Sequence, residues 1–249
     1  MYMKCLNSNA LKIIAIIAMT IDHLAWLFFP SYDTSFLPVL MHIIGRITCP
    51  IMCFFIAEGY YHTRNLKKYI LRLFIFALIS HVPYMLQSTN FKEYGWLSLI
   101  PFATGNGINR FLNQTSVIFS LLIGLLMLDV ANKNIKYIYK ILLILLLCLL
   151  AFPCDWSCIA SLIILAFGTN RGKFLKQIVF LLFYVSFYVI VYCFSINRVY
   201  GLIQYGVILS IPLIMMYNGQ RGKNSKFMKW VFYIYYPLHL LILGLIGLF

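Results

Sequence analysis

Charge is what this chain has least of. Of its 249 residues, 10% are Asp, Glu, Lys or Arg, and only six are acidic. Soluble domains carry about 25% charged residues, so the composition excludes one. No Cys-x-x-Cys occurs among the seven cysteines at 5, 49, 53, 148, 154, 158 and 193; Cys49/Cys53 and Cys154/Cys158 are i, i+4 pairs, read as small apolar residues at helix contacts ahead of a metal site or a disulfide, and no metal is expected. The apolar segments do not alternate at a period of two, as a lipid-spanning barrel requires. There is no internal repeat and no low-complexity tail. What remains is 63% hydrophobic, with mean hydropathy +0.89, in continuous runs such as ILLILLLCLLAF (141–152). Only helices satisfy their own backbone in lipid without closing a barrel. The chain therefore reads as an all-α, polytopic transmembrane bundle, a single integral-membrane domain over 1–249.

Nine spans are expected, at 10–29, 37–60, 67–86, 114–130, 137–153, 156–169, 176–195, 199–217 and 229–248. The fifth and sixth, joined by PCDWS, form either a tight hairpin or one broken unit. No small-residue cleavage site follows the first run before Pro30, so it is expected to stay as an anchor. Sixteen of the twenty basic residues fall on alternate connectors: Lys4 and Lys12; Arg64, Lys67, Lys68 and Arg72; Lys133, Lys136 and Lys140; Arg171, Lys173 and Lys176; Arg221, Lys223, Lys226 and Lys229. Only Lys92, Arg110 and Arg198 lie on the other side, and Arg46 lies within a span. The positive-inside rule then puts the N-terminus in the cytoplasm and the C-terminus outside a cell membrane. The formal charge of +14 is thus an orientation signal, with lipids and not nucleic acid as its partner; a second use is to hold an anionic cofactor. The longest loop, 87–113, is external and contains TGNGINR (104–110), which is turn chemistry.

Against this background MTIDHLAWLF (19–28) stands out. One ionised Asp near a bilayer centre costs about 2.5–3.5 kcal/mol. The assigned orientation brings Asp22 and His23, the i, i+4 pair His42 and Arg46, His81 before Pro83, Asp155, and His239 to one outer-to-middle layer. Singly, each has a structural explanation: a packing histidine, or an Asp22–Arg46 ion pair. Arg72 reads as a snorkelling residue, and Asp129 as a solvated one. Glu58 caps or pairs with Arg64 or Arg72, or stands at a cofactor entrance. The agreement in depth is what suggests a site. Asp22 and His23 diverge by about 100° on a helix, so Asp22 is expected toward Arg46 and His23 toward a cavity. Pro50 is expected to bend the second span near its middle. In FYIYYPLHLL (232–241), Pro237 frees the carbonyl of Tyr233 beside Tyr236 and His239; this is either a cavity wall or a plain kink.

The stretches LKIIAIIAMTIDHLAWLFFP, IIGRITCPIMCFFIAEGYYHTRNLKKYILRLFIFALIS and KWVFYIYYPLHLLIL resemble the TraX family, in order and over the length of the chain. That family includes the conjugative pilin N-acetyltransferase of F-like plasmids and is similar to acyltransferase-3 proteins and to the lysosomal heparan-alpha-glucosaminide N-acetyltransferase. One departure is LNQTSVIFSLLIG (112–124), where the family carries an Asn-Val-x-x-Thr-like stretch. The resemblance implies a transmembrane acetyltransferase. It would move an acetyl group from cytosolic acetyl-CoA to an exported acceptor: a pilin-like peptide N-terminus, another amine, or a glycan hydroxyl. On that footing His23 is the general base, and Asp22 its support or an ion-pair partner. Arg46 holds the thioester carbonyl or Asp22, and His239 is a second acid or base. Arg64, Lys67, Lys68, Arg171 and Lys173 are candidates for the CoA phosphates, and His42, His81, Asp155 and Tyr236 for contacts to substrate. The competing expectations are a proton-coupled transporter or flippase, since intramembrane Asp, His and Arg also mark proton paths, and a non-catalytic assembly factor in a conjugation or secretion complex.

Overall fold

The computed structural model describes residues 4–104, 111–222 and 226–248. Arg110, Lys223 and residues 105–110 of the TGNGINR turn lie outside them. The described residues are almost all helical: α1 Ser8–Phe28, α2 Phe36–Gly45, α3 Thr48–His62, α4 Leu66–Gln87, α5 Thr89–Tyr94, α6 Val117–Asn132, α7 Tyr137–Ala151, α8 Ser157–Thr169, α9 Phe174–Ser195, α10 Arg198–Ile203, α11 Ser210–Met215 and α12 Lys226–Ile246, with 3₁₀ turns at Gly95–Leu99 and Gln204–Leu209. Asparagine starts three of them. Asn7 accepts from the Ala10 N–H, Asn65 from Lys68, and Asn197 from Val199 and Tyr200, each cap worth about 1 kcal/mol.

Among the described residues, five segments are long and apolar enough to cross a membrane: Ser8–Phe28, Phe36–His62, Leu66–Gln87, Phe174–Ser195 and Arg198–Met215. Only 28–39% of the residues in each window are buried by protein, and side chains such as Leu78 and Ile79 on α4 and Phe187 and Phe194 on α9 point outward. Apolar surface on that scale needs lipid. The chain is a multi-pass membrane protein. The four remaining expected runs fold as shorter apolar helices, Val117–Asn132, Tyr137–Ala151, Ser157–Thr169 and Trp230–Ile246.

The second expected span is not a single helix bent at Pro50. It is interrupted earlier, between Gly45 and Thr48. A proline removes the N–H that would reach back four residues, and its ring crowds that carbonyl. For Pro50 the residue four back is Arg46, so the disturbance falls at the break, and Pro50 itself sits in the first turn of α3, where a missing N–H costs nothing. The eighth expected span is likewise interrupted, by the 3₁₀ turn between α10 and α11. Pro83 and Pro237 lie inside continuous helices.

The contacts divide the chain into two compact units: residues up to Phe55 with Gly172–Tyr235, and Ile56–Arg171 with the residues from Tyr236 onward. In the second unit α6 and α8 pack through small residues. A Cβ at Gly124 would press on Ile164 and Ser161, and one at Gly168 would overlap Leu128. Ser120 and Ser161 bond reciprocally across this seam: each hydroxyl donates to a carbonyl of the facing helix, at 2.7 Å. Small residues and hydroxyls are what hold helices together in lipid, where apolar burial gives no drive.

Candidate active site

In α1 the buried stripe runs Leu11, Ala15, Ala18, Asp22, Ala25, the spacing of one helical face. Asp22 therefore stands where an apolar side chain belongs. In α2 the buried positions are Pro38, His42 and Gly45. The helices approach so closely that a Cβ on Gly45 would overlap Cβ and Cγ of Asp22. The carboxylate then meets two partners. Arg46 Nη2 donates to Oδ1 and Oδ2, both at 2.7 Å, and His42 Nδ1 lies 2.8 Å from Oδ1. The break after α2 is what lets Arg46 turn back. Its Nε donates to the His42 carbonyl at 3.3 Å, and its Nη1 to Gln204 Oε1 at 3.2 Å in the 3₁₀ turn after α10. Gln204 in turn donates to the Tyr200 carbonyl. Gly206 permits the approach, since a Cβ there would stand 2.7 Å from the Ile43 carbonyl oxygen.

The His42 ring is almost fully buried, 1% exposed, with Trp26 at 4.6 Å and Tyr200 at 5.2 Å between centroids. Tyr32 packs edge-on against both Trp26 and Tyr200. It is delivered by a turn in which Ser31 and Tyr32 both have positive φ, 67° and 58°, a conformation that costs a non-glycine residue about 1–2 kcal/mol. The Tyr200 hydroxyl closes the turn by donating to the Asp33 carbonyl at 3.0 Å. A carboxylate can only accept, so Nδ1 carries a proton, and in the neutral ring Nε2 is then the lone-pair nitrogen. Nε2 is buried and has no hydrogen-bond partner. An imidazole with its Nδ1–H on a carboxylate and its Nε2 open is built to take a proton from a bound amine or hydroxyl.

The structure thus brings Asp22, His42 and Arg46 together. The ring on the carboxylate is His42's; His23 is half-buried in the same unit. His81, Asp155, Tyr236 and His239 lie in the second unit. His81 is used at both nitrogens: Nε2 faces the Leu99 carbonyl at 2.9 Å, and Nδ1 faces Thr115 Oγ1 at 3.1 Å. Asp155 is half-buried beside Trp156 and Ser157, both at positive φ. Tyr236 and His239 are buried with rings edge-to-face, 5.7 Å apart. The expected pairing of Glu58 with Arg64 or Arg72 is corrected. Glu58 receives Arg171 as a fork, Nε at 2.9 Å and Nη2 at 3.0 Å, because the end of α8 runs alongside the end of α3, where the Tyr61 hydroxyl also donates to the Gly168 carbonyl. Arg64, Lys67, Lys68 and Lys173 are exposed.

Trp26, Tyr32, Tyr200 and Gln204 were not legible as site residues. Two signals were available: Gln204 is a polar interruption in the apolar run from 199, and Trp26 is one helical turn beyond Asp22. The glycine contact gives a direct prediction. Gly45→Ala should push α1 from α2 and destabilise the protein by about 1–3 kcal/mol, the range for overpacking, measured as a lowered midpoint of thermal unfolding.

The TraX protein family profile matches residues 7–247. The chain is 37% identical over 147 residues to the probable fimbrial assembly protein FimC, serogroup H1, of Dichelobacter nodosus, covering 59% of this chain and 55% of that one. It is 42% identical over 53 residues to an uncharacterised protein of Rickettsia prowazekii (strain Madrid E), covering 21% and 19%. The chain thus spans about half, or less, of the curated relatives it matches. No solved structure matches. A profile that runs from the cap of α1 to the end of α12 takes in every residue of the Asp22 cluster, and the chain belongs to the TraX family.

Proposed function

We propose that this TraX protein is a membrane acetyltransferase that takes its acetyl group from cytosolic acetyl-CoA and delivers it to an amine of an exported pilin- or fimbrial-type subunit. The carrying observation is the His42 imidazole, with Nδ1 on Asp22 and a buried, unpartnered Nε2. The family's association with pilin acetylation and the fimbrial assembly name of one relative support the acceptor class; a glycan hydroxyl fits the same chemistry.

His42 Nε2 takes a proton from the acceptor amine as its nitrogen attacks the thioester carbonyl carbon. The new C–N bond forms, the C–S bond breaks, and the leaving thiolate takes the proton back from Nε2 as CoA-SH. Asp22 keeps Nδ1–H in place and stabilises the imidazolium. Arg46 is a positioning residue, because its fork is committed to Asp22. This assignment moves the base from His23 to His42 and leaves His239 as a second acid or base. With the N-terminus cytoplasmic and nine crossings, the exposed Arg64 on the α3–α4 connector and Lys67 and Lys68 in the first turn of α4, with Lys173, face the CoA phosphates. Arg171 suits them less, its guanidinium being held by Glu58.

One observation favours a second reading, a proton-coupled transporter. Two interrupted helical segments meet at the cluster, linked by Arg46 and Gln204, and broken helices line transport sites. Reconstituted protein with acetyl-labelled acetyl-CoA and a peptide amine separates the two. Acceptor-dependent CoA release with label in the peptide is the expected result. Uptake driven by a pH gradient, indifferent to CoA and without labelled peptide, would replace it with transport.

A further inference from the structure

The proposed chemistry puts a substrate on His42 Nε2, yet that atom is shut off from every side. Two rings flank the imidazole, Trp26 of α1 and Tyr200 of α10. A third ring, that of Tyr32, spans the pair. It meets Trp26 at 5.4 Å and 90°, and Tyr200 at 4.9 Å and 88°. Tyr32 belongs to no helix; it lies in the turn 29–35 between α1 and α2. With the orientation proposed above, that turn is on the face where an exported acceptor arrives.

The turn has few ties. Among the described residues, one hydrogen bond reaches 30–34 from elsewhere in the chain: the Tyr200 hydroxyl donates to the Asp33 carbonyl at 3.0 Å. The other bond there is local, from the Ser35 N–H to Asp33 Oδ1 at 2.8 Å. The backbone is also wound against its preference. Ser31 and Tyr32, neither of them glycine, follow one another in the left-handed region, which side chains with a Cβ avoid. Returning both to extended backbone releases that strain. Two ring contacts and one hydrogen bond therefore hold the turn closed over a backbone that favours leaving. The helices on either side need not follow, because Asp22 binds His42 directly and Gly45 lets them touch.

We propose that the turn 29–35 is a lid over His42, latched by the Tyr32 ring and by the Tyr200 hydroxyl, and that it swings outward to uncover Nε2. Strain held at such a place is a means of keeping two states close in free energy. The identity of the visitor, an acceptor amine, rests on the acetyl-transfer reading; the opening itself does not.

The probe is diethyl pyrocarbonate, which carbethoxylates the bare nitrogen of a neutral imidazole. The full chain in lipid nanodiscs is labelled without acetyl-CoA, and modification of His42 and His62 is followed by mass spectrometry after digestion. His62 is exposed at the end of α3 and serves as the internal reference. His42 should label far more slowly than His62. Tyr200→Phe removes the tether to Asp33 and should raise the His42 rate about 2–10-fold, the worth of one hydrogen bond. Tyr32→Ala removes the latch and should also raise it. Ser31→Gly, at an exposed position, relieves the strain and should lower the rate several-fold, a direction that loss of folding cannot imitate. Equal His42 rates in all of these proteins would overturn the lid, and so would a His42 that never labels in any of them. Turnover of the same samples keeps the two readings apart. Gated labelling with full activity in His42→Asn would leave the lid and remove the base. Loss of activity in His42→Asn, with labelling indifferent to the turn, would do the reverse.

Discussion

Arg46→Met should destabilise the protein by about 3–5 kcal/mol, the cost of leaving one member of a buried ion pair without the other. The substitution keeps most of the stem and removes the fork from both oxygens of Asp22. The carboxylate is then left, inside a membrane-spanning helix, with His42 alone. Asp22→Asn with Arg46→Met should cost less than the sum of the two single changes, because the neutral pair has no stranded charge. The measurement is the unfolding midpoint of each variant in the same lipid. Single-variant losses below about 1 kcal/mol, the range of solvent-exposed pairs, would mean that water reaches the cluster and that the dry site is wrong.

His42→Asn should lower acetyl transfer by about 10²–10⁴-fold, the contribution of a general base. Asparagine keeps a donor near the Nδ1 position, so the bond to Asp22 survives while Nε2 disappears. His23→Asn should leave most of the turnover. If His23→Asn abolishes turnover while His42→Asn spares it, the base is His23, as the family resemblance first suggested.

The long apolar elements were readable from hydropathy alone. The first, third and seventh expected spans coincide with α1, α4 and α9 to within about two residues, because twenty or so apolar residues leave the backbone one way to satisfy itself in lipid. The interruption in 36–62 was misplaced by one helical turn: a proline is visible where it stands, but it acts on the carbonyl four residues earlier. The cluster was half legible. An acid in a greasy helix and an i, i+4 His–Arg pair announce a buried polar contact, and Asp22 and Arg46 do meet. That the histidine on Asp22 is His42 depends on which faces α1 and α2 turn to each other, and on Gly45 allowing them to touch. Neighbours in sequence such as Asp22 and His23 attract attention together, but a helix sends them in different directions.

The Asp22–Arg46 bond also bears on how the chain enters the bilayer during synthesis. The acid leaves the ribosome 24 residues ahead of its cation, a delay of about 1–5 s at ordinary elongation rates of roughly 5–20 residues per second. For that interval the first helix carries an uncompensated carboxylate that insertion disfavours by about 2.5–3.5 kcal/mol. The economical route is for it to wait at the translocon and partition into lipid together with α2, as a neutralised hairpin.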